Sequence, residues 1–179
     1  TPDEGGYAFG TGCKKCADAF MKLGEKYGFS VENDDYYCAS VLLKGAEERE
    51  LGILGHLDVM PEGEGWHYEP FRAIEQDGYV IGRGSGDNKG GTMMSLYAMR
   101  CLRDLGFRLQ HTVRLIAGFN EECGMKDVPH YLESHIPPEY TLVCDGGWAM
   151  CLGEKGIITA DLIMELPDDS IRELCGGIA

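Results

Sequence analysis

The sequence predicts an α/β fold on three observations. Short β-prone apolar runs alternate with amphipathic helical segments, three of those runs end on ionisable residues, and no internal repeat or low-complexity tract interrupts the alternation. At 179 residues the chain is about one domain on the usual scale of roughly 100–200 residues. With 44% hydrophobic and 26% charged residues it can bury a core, which excludes wholesale disorder.

Cys16, Phe20, Leu23 and Tyr27 recur at helical spacing and stop at Gly28, which predicts an amphipathic helix over residues 13–27, lying on a sheet. The apolar runs 37–43 and 50–55 are joined by a polar stretch, 44–49, and predict a hairpin. A Gly-rich loop containing Trp66 follows, then a short strand at 79–81. Residues 88–105 predict a helix that is apolar nearly all round, with Met94, Ala98, Cys101 and Leu105, and is therefore expected to be buried. A strand at 111–119 leads into Asn120-Glu121-Glu122, a helix runs to residue 134, and a strand at 140–144 ends on Asp145. Beyond Gly156 the pattern changes to a β-prone run, 157–166, and the chain stops without a closing element. The expected organisation is a first region over 1–156 and the start of a second, cut short, over 157–179.

Thirty acidic against 16 basic residues leave a net charge of −14, which repels polyanionic backbones and anionic lipid headgroups. Nucleic acid and membrane surfaces are therefore not expected as partners. No apolar run approaches the ~18 residues that span a bilayer, and TPDEGGYAFG has neither part of a secretion signal, so a cytoplasmic protein is expected. Eight cysteines are too few for a stapled scaffold and fit a reducing compartment. Cys38, Cys101, Cys144 and Cys151 fall in predicted strands and helices, or close to them, and are expected to pack as small apolar side chains. Cys13 and Cys16 form a CxxC with no second Cys or His pair beside it, and read as structural.

In open α/β sheets, ligands bind in the crevice outside the carboxyl ends of the strands. The strand at 50–55 leads into His56 and Asp58, that at 111–119 into Glu121 and Glu122, and that at 140–144 into Asp145. Asp87 stands in the Gly-rich segment 82–91, where glycine permits an unusual backbone at the start of a helix. Taken singly, a His-x-Asp or a Glu pair is most often surface charge or capping. Their joint placement at strand ends is what points to chemistry. One imidazole with several carboxylates is a mixed N/O set that suits Zn, Mn or Co, and a carboxylate shared between two ions is a natural device for hydrolysis. Other catalytic signatures fail. Lys89 is preceded by Asn88 and followed by Gly90, so there is no Walker loop; Ser85 lacks the G-x-S-x-G frame; and there is no HExxH.

The chain resembles the M20 metallopeptidases and, within them, the PepV/Sapep-like dipeptidases. The resemblance runs through Gly55-His56-Leu57-Asp58-Val59-Met60-Pro61 with Gly65-Trp66 and Pro70-Phe71, then Gly82-Arg83-Gly84 to Asp87-Asn88-Lys89-Gly90. It continues through Asn120-Glu121-Glu122-Cys123-Gly124, Asp145 and Gly153-Glu154-Lys155-Gly156, covering about residues 50–157. It implies a three-layer, zinc-peptidase-like fold with a mixed, mostly parallel central sheet flanked by helices. On that basis 1–156 is part of a catalytic domain and 157–179 opens a lid domain. It further implies two divalent ions, zinc first with manganese or cobalt as options, bridged by Asp87. His56 and Asp145 would complete one site and Glu122 would hold the other ion. Asp58 would fix the His56 tautomer, and Glu121 would be the general base that takes a proton from the metal-bridging water. The Asp87-Asn88 peptide is expected to be cis.

The implied substrate is a dipeptide or short peptide with a free N-terminus. The alternatives are an M20-like amidohydrolase of N-acylated amino acids and a non-catalytic metal-binding module. The family's last ligand is a His far downstream, beyond the lid. His67, His111, His130 and His135 do not suit that place, so this chain alone is expected to hold the second ion weakly and to turn over little.

Overall fold

The computed structural model describes residues 6–147, together with 149, 151–153, 155, 156, 158 and 160. The chain divides into two units, Thr1–Gly146 and Gly147–Ala179. The described residues of the second contain no helix or strand, and the expected lid segment lies outside the described residues except at 158 and 160. Glu154 of the last motif lies outside them too.

In chain order the first unit comprises α1 (Gly10–Lys26), β1 (Ser30–Asp34), β2 (Cys38–Leu43), β3 (Glu47–His56), β4 (Ile74–Gln76) and β5 (Tyr79–Ile81). It continues with α2 (Lys89–Asp104), β6 (His111–Gly118), a 3₁₀ turn at Glu121–Cys123, α3 (Asp127–Ser134) and β7 (Tyr140–Val143). The main sheet has the order β1-β2-β6-β3-β7. β3 runs parallel to β6 and to β7, so the three strands that end in ionisable residues point to one edge. The register is tight there: Gly118 stands level with His56 on one side and Cys38 on the other.

The sheet is mixed, but the expectation that it is mostly parallel is wrong. β1–β2 and β2–β6 are antiparallel, as is the separate β4–β5 hairpin, so parallel pairing is the minority. The cause is local. Asp35 and Tyr36, at φ 50° and 62°, form a two-residue turn between β1 and β2, closed by Tyr37 N–H donating to Asp34 O at 2.8 Å. A turn that short joins only antiparallel strands.

The expected hairpin between residues 37–43 and 50–55 is also corrected. β6 lies between β2 and β3, and β2 makes its hairpin with β1 instead. Residues 44–46 step across the start of β6, with Ala46 N–H donating to Leu109 O and Gly45 N–H to Thr112 Oγ1. β6 is buried over Thr112–Gly118, and a strand buried that fully takes a partner on each edge.

Helices cover both faces of the sheet. Ala17 and Phe20 of α1 with Leu96 and Met99 of α2 pack on Val41, Leu115 and Ala117, whereas Cys38, Ile116 and Leu54 face Tyr131 of α3. α2 is not buried all round. It buries Thr92, Leu96 and Met99, while Met94, Ala98, Cys101 and Leu105 face outward. A helix with two apolar stripes does not declare which one docks. Of the four cysteines expected to pack as small apolar groups, Cys38 is buried and Cys144 half-buried, but Cys101 and Cys151 are exposed. Every cysteine among the described residues is a free thiol. No helix among the described residues is long and apolar enough to cross a membrane.

Candidate metal centre

His56 is the last residue of β3 and is 2% exposed, with its imidazole at the edge where β3, β6 and β7 all end. Its Nε2 lies 2.9 Å from Asp87 Oδ1 and 3.3 Å from Asp145 Oδ2. Ligand atoms of these three residues all fall within 4.8 Å of one another. Among the described residues this is the one such cluster of His, Cys, Asp and Glu side chains. Asp87 comes from the Gly-rich loop before α2, and the Asp87-Asn88 peptide is cis, as the resemblance implied. Asp145 follows β7.

The far side of the ring is held by Asp58. His56 Nδ1 is 3.2 Å from the Asp58 carbonyl oxygen and 3.3 Å from its Oδ1. The same carboxylate accepts the backbone N–H of Glu121 at 3.3 Å and of Glu122 at 3.2 Å. Asp58 therefore ties the end of β3 to the turn after β6. Glu121 Oε2 stands 3.8 Å from His56 Nε2. Glu122 is held beside the site by its backbone, but its carboxylate lies outside the three-residue cluster.

Burial acts to lower the pKa of His56, yet the carboxylates of Asp58, Asp145 and Glu121 together outweigh it and hold the imidazole above its ordinary value. Burial raises Glu121, and the negative charges of Asp145, Glu122 and Asp58 add to that against the opposing pull of His56. Burial also raises Asp58, although the N–H groups of Glu122 and Glu121 and the His56 ring work the other way. The site thus favours positive charge at the point where Nε2 meets two carboxylates. A donor set of one imidazole and two carboxylates at that point suits a divalent transition metal, so the residues present fit such an ion.

The other histidines lie apart from this cluster. His111 opens β6, at the opposite end from Gly118; His135 faces Asp34 at 3.3 Å and His130 stacks on Tyr37, both at α3; His67 is in the loop after Trp66. A cavity of about 460 Å³ lined by Glu50, Arg114, His135 and Pro138 sits near the start of β3, away from the cluster.

Three residues that the sequence reading left without a role support the site. Asn88 is buried, and Lys89 Nζ donates to Leu57 O at 2.6 Å, between His56 and Asp58. Asp127 is buried and accepts the N–H groups of Phe119 at 2.7 Å and Asn120 at 2.8 Å, just ahead of Glu121. The signal for Asn88 and Lys89 was their place in the Asp87–Gly90 motif; nothing in the sequence marks Asp127.

Mixed nitrogen and oxygen donors gathered at the carboxyl edge of parallel strands make an α/β protein with a cluster able to hold a metal ion, an arrangement consistent with metal-dependent hydrolysis. Residues 52–158 match peptidase family M20/M25/M40, and the chain belongs to that family. It is 33% identical over 163 residues to the Beta-Ala-Xaa dipeptidase of Lactobacillus delbrueckii subsp. lactis, a match covering 90% of this chain and 34% of that protein. It is 35% identical over 159 residues to the putative dipeptidase YtjP of Bacillus subtilis (strain 168), covering 89% and 34%. An M20 family metallo-carboxypeptidase from Sulfolobus solfataricus superposes with a TM-score of 0.67 at 25% identity, over 77% of this chain and 33% of that one. Human carnosine dipeptidase 1 shares the fold, with a TM-score of 0.66 at 23% identity, over 76% of this chain and 33% of that one. The chain spans about a third of the length of the curated relatives it matches.

Proposed function

We propose that this chain carries catalytic machinery of a dipeptidase that hydrolyses dipeptides or short peptides with a free N-terminus. The observation that carries the reading is the meeting of His56 Nε2, Asp87 Oδ1 and Asp145 Oδ2 in a chain of the M20 family. The similarity to a Beta-Ala-Xaa dipeptidase and to a putative dipeptidase supports the substrate class. On this reading residues 1–156 belong to the catalytic domain and 157–179 open a lid domain.

His56, Asp87 and Asp145 would hold one divalent ion, and Asp87 with Glu122 would contribute to a second, zinc being the first choice and manganese or cobalt the others. Bound there, such ions supply Lewis acidity toward a carbonyl oxygen and make water more acidic. The chain's own groups do the rest. Asp58 keeps a proton on His56 Nδ1, so that Nε2 faces the ligand carboxylates. Glu121 is the general base: its carboxylate takes a proton from the attacking water and delivers it to the leaving amine. A pKa held above the ordinary carboxylate range makes it a stronger base for that task.

The test joins metal titration to hydrolysis. Zinc or manganese is titrated into the purified protein, and the loaded protein is offered dipeptides beside N-acetyl amino acids. Dipeptide turnover is expected, at the low level that a weakly held second ion allows. In Glu121→Gln turnover should fall by ~10²–10⁴ while metal affinity stays within about threefold of wild type. Exclusive turnover of N-acyl amino acids would replace the substrate class, and equal loss of metal and activity would remove Glu121 from the role of base.

A further inference from the structure

Asn88 is the N-cap residue of α2, yet its side chain caps nothing on its own helix. Asparagine is favoured at that position because its side-chain oxygen ordinarily accepts an N–H two or three residues on. Here the residue is 1% exposed and its carboxamide is engaged elsewhere. Nδ2 donates to the carbonyl of Cys144, the residue before Asp145, at 2.7 Å. Oδ1 accepts the Thr92 hydroxyl at 2.9 Å and the backbone N–H of His56 at 3.4 Å, and Cys144 Sγ lies 3.7 Å away.

One side chain therefore touches the segments that bear His56 and Asp145, and it is bonded through the backbone to Asp87. Those are the three residues of the metal cluster. The packing around the carboxamide leaves no slack. A Cβ at Gly55 would lie 2.7 Å from Asn88 Oδ1 and 2.4 Å from Thr92 Oγ1, and one at Gly91 would lie 2.4 Å from Cys144 O and 3.3 Å from Asn88 Nδ2. Glycine at both places lets strand and helix close on Asn88.

We infer that Asn88 is the positioning residue of the metal centre, its buried carboxamide holding the segments of His56, Asp87 and Asp145 in the arrangement that takes a divalent cation. The inference rests on the metal-hydrolase reading above. Asn88 itself donates no ligand atom. Its effect is to remove the freedom of three chain segments to drift apart, which raises affinity by preorganisation.

The experiment is zinc binding by calorimetry, with the absorption spectrum of the cobalt-loaded protein as a report on coordination geometry. It compares wild type, Asn88→Leu, Thr92→Val and the remote core variant Leu115→Ala. Asn88→Leu keeps the volume and loses the hydrogen bonds, and is expected to bind ~10–100-fold more weakly with an altered cobalt spectrum. Thr92→Val removes one of the contacts to Oδ1 and should lose a severalfold, smaller amount. Leu115→Ala lowers stability without touching the site and should keep both affinity and spectrum.

Binding by folded Asn88→Leu within about twofold of wild type, with an unchanged spectrum, overturns the inference. So does an equal loss in Leu115→Ala, which would trace the effect to stability alone. If circular dichroism shows that Asn88→Leu does not fold, Thr92→Val decides: a severalfold loss supports the inference and an unchanged affinity overturns it. Wild-type protein that binds neither zinc nor cobalt overturns the metal reading itself, and the inference with it.

Discussion

Tyr131 illustrates how a single buried group couples to pH. It is 3% exposed, and its hydroxyl has no hydrogen-bond partner among the described residues. Burial pushes its pKa up to about 12, with Glu50, Asp34 and Glu32 adding to the effect and Arg114 opposing it. The unfolded phenol loses its proton near 10, so between pH 10 and 12 the folded state holds more protons than the unfolded one. Stability from this group is then complete below pH 10 and falls as pH rises, by up to about 2–3 kcal/mol. Tyr131→Phe should abolish that alkaline loss, and near neutral pH it should match or exceed wild type by about 1 kcal/mol, because an unpartnered buried hydroxyl is removed. Urea unfolding at pH 7 and pH 11 reads both effects, and a Phe variant that loses stability at pH 7 would reveal a partner for the hydroxyl. At this scale the candidate site residues were legible in the sequence, because His56, Asp58, Asp87, Glu121, Glu122 and Asp145 stand in short motifs, and His56, Asp87 and Asp145 do meet in one cluster. Asn88 was legible as part of a motif but not as a support, since the segments it ties, at His56 and Cys144, lie 32 and 56 positions away.

At the scale of elements, the turn after β6 depends on a carboxylate from the next helix. Asp127, 1% exposed, accepts N–H groups from Phe119 and Asn120, and also that of Val128 at 2.9 Å. Asp127→Ala leaves the first two donors unpaired in the interior and should cost about 2–4 kcal/mol. Asp127→Asn, which keeps an acceptor, should cost less than half of that, as measured by urea denaturation; equal costs would mean that charge rather than hydrogen bonding matters. Element reading succeeded where a period was clear. α1 was expected at 13–27 and is found at Gly10–Lys26, and α2 was expected at 88–105 and is found at Lys89–Asp104. β1 was not foreseen, because Glu32, Asn33 and Asp34 make it polar, and its pairing comes from the Asp35-Tyr36 turn. The false hairpin between β2 and β3 arose because a polar linker looks the same whether the strands beside it pair or stand one strand apart.

At the scale of the whole molecule, β6 is the member that joins both core layers and separates the antiparallel from the parallel half of the sheet. Leu115, fully buried at its centre, stands between Val41 of β2 and Ile53 of β3. Leu115→Ala should destabilise the fold by about 2–5 kcal/mol in denaturant unfolding. A cost below about 1 kcal/mol would mean that the core repacks around the lost side chain. Composition, alternation of strand and helix, and motif order were enough by themselves to determine an α/β protein whose candidate site residues lie at or near strand ends, because these are local properties carried by neighbouring residues. Tertiary structure alone decided the direction of pairing, the stripe of α2 that docks and the insertion of β6 between β2 and β3. It alone also brought His56, Asp87 and Asp145 together around a buried Asn88. Each of these depends on contacts between residues remote along the chain, which no local pattern encodes.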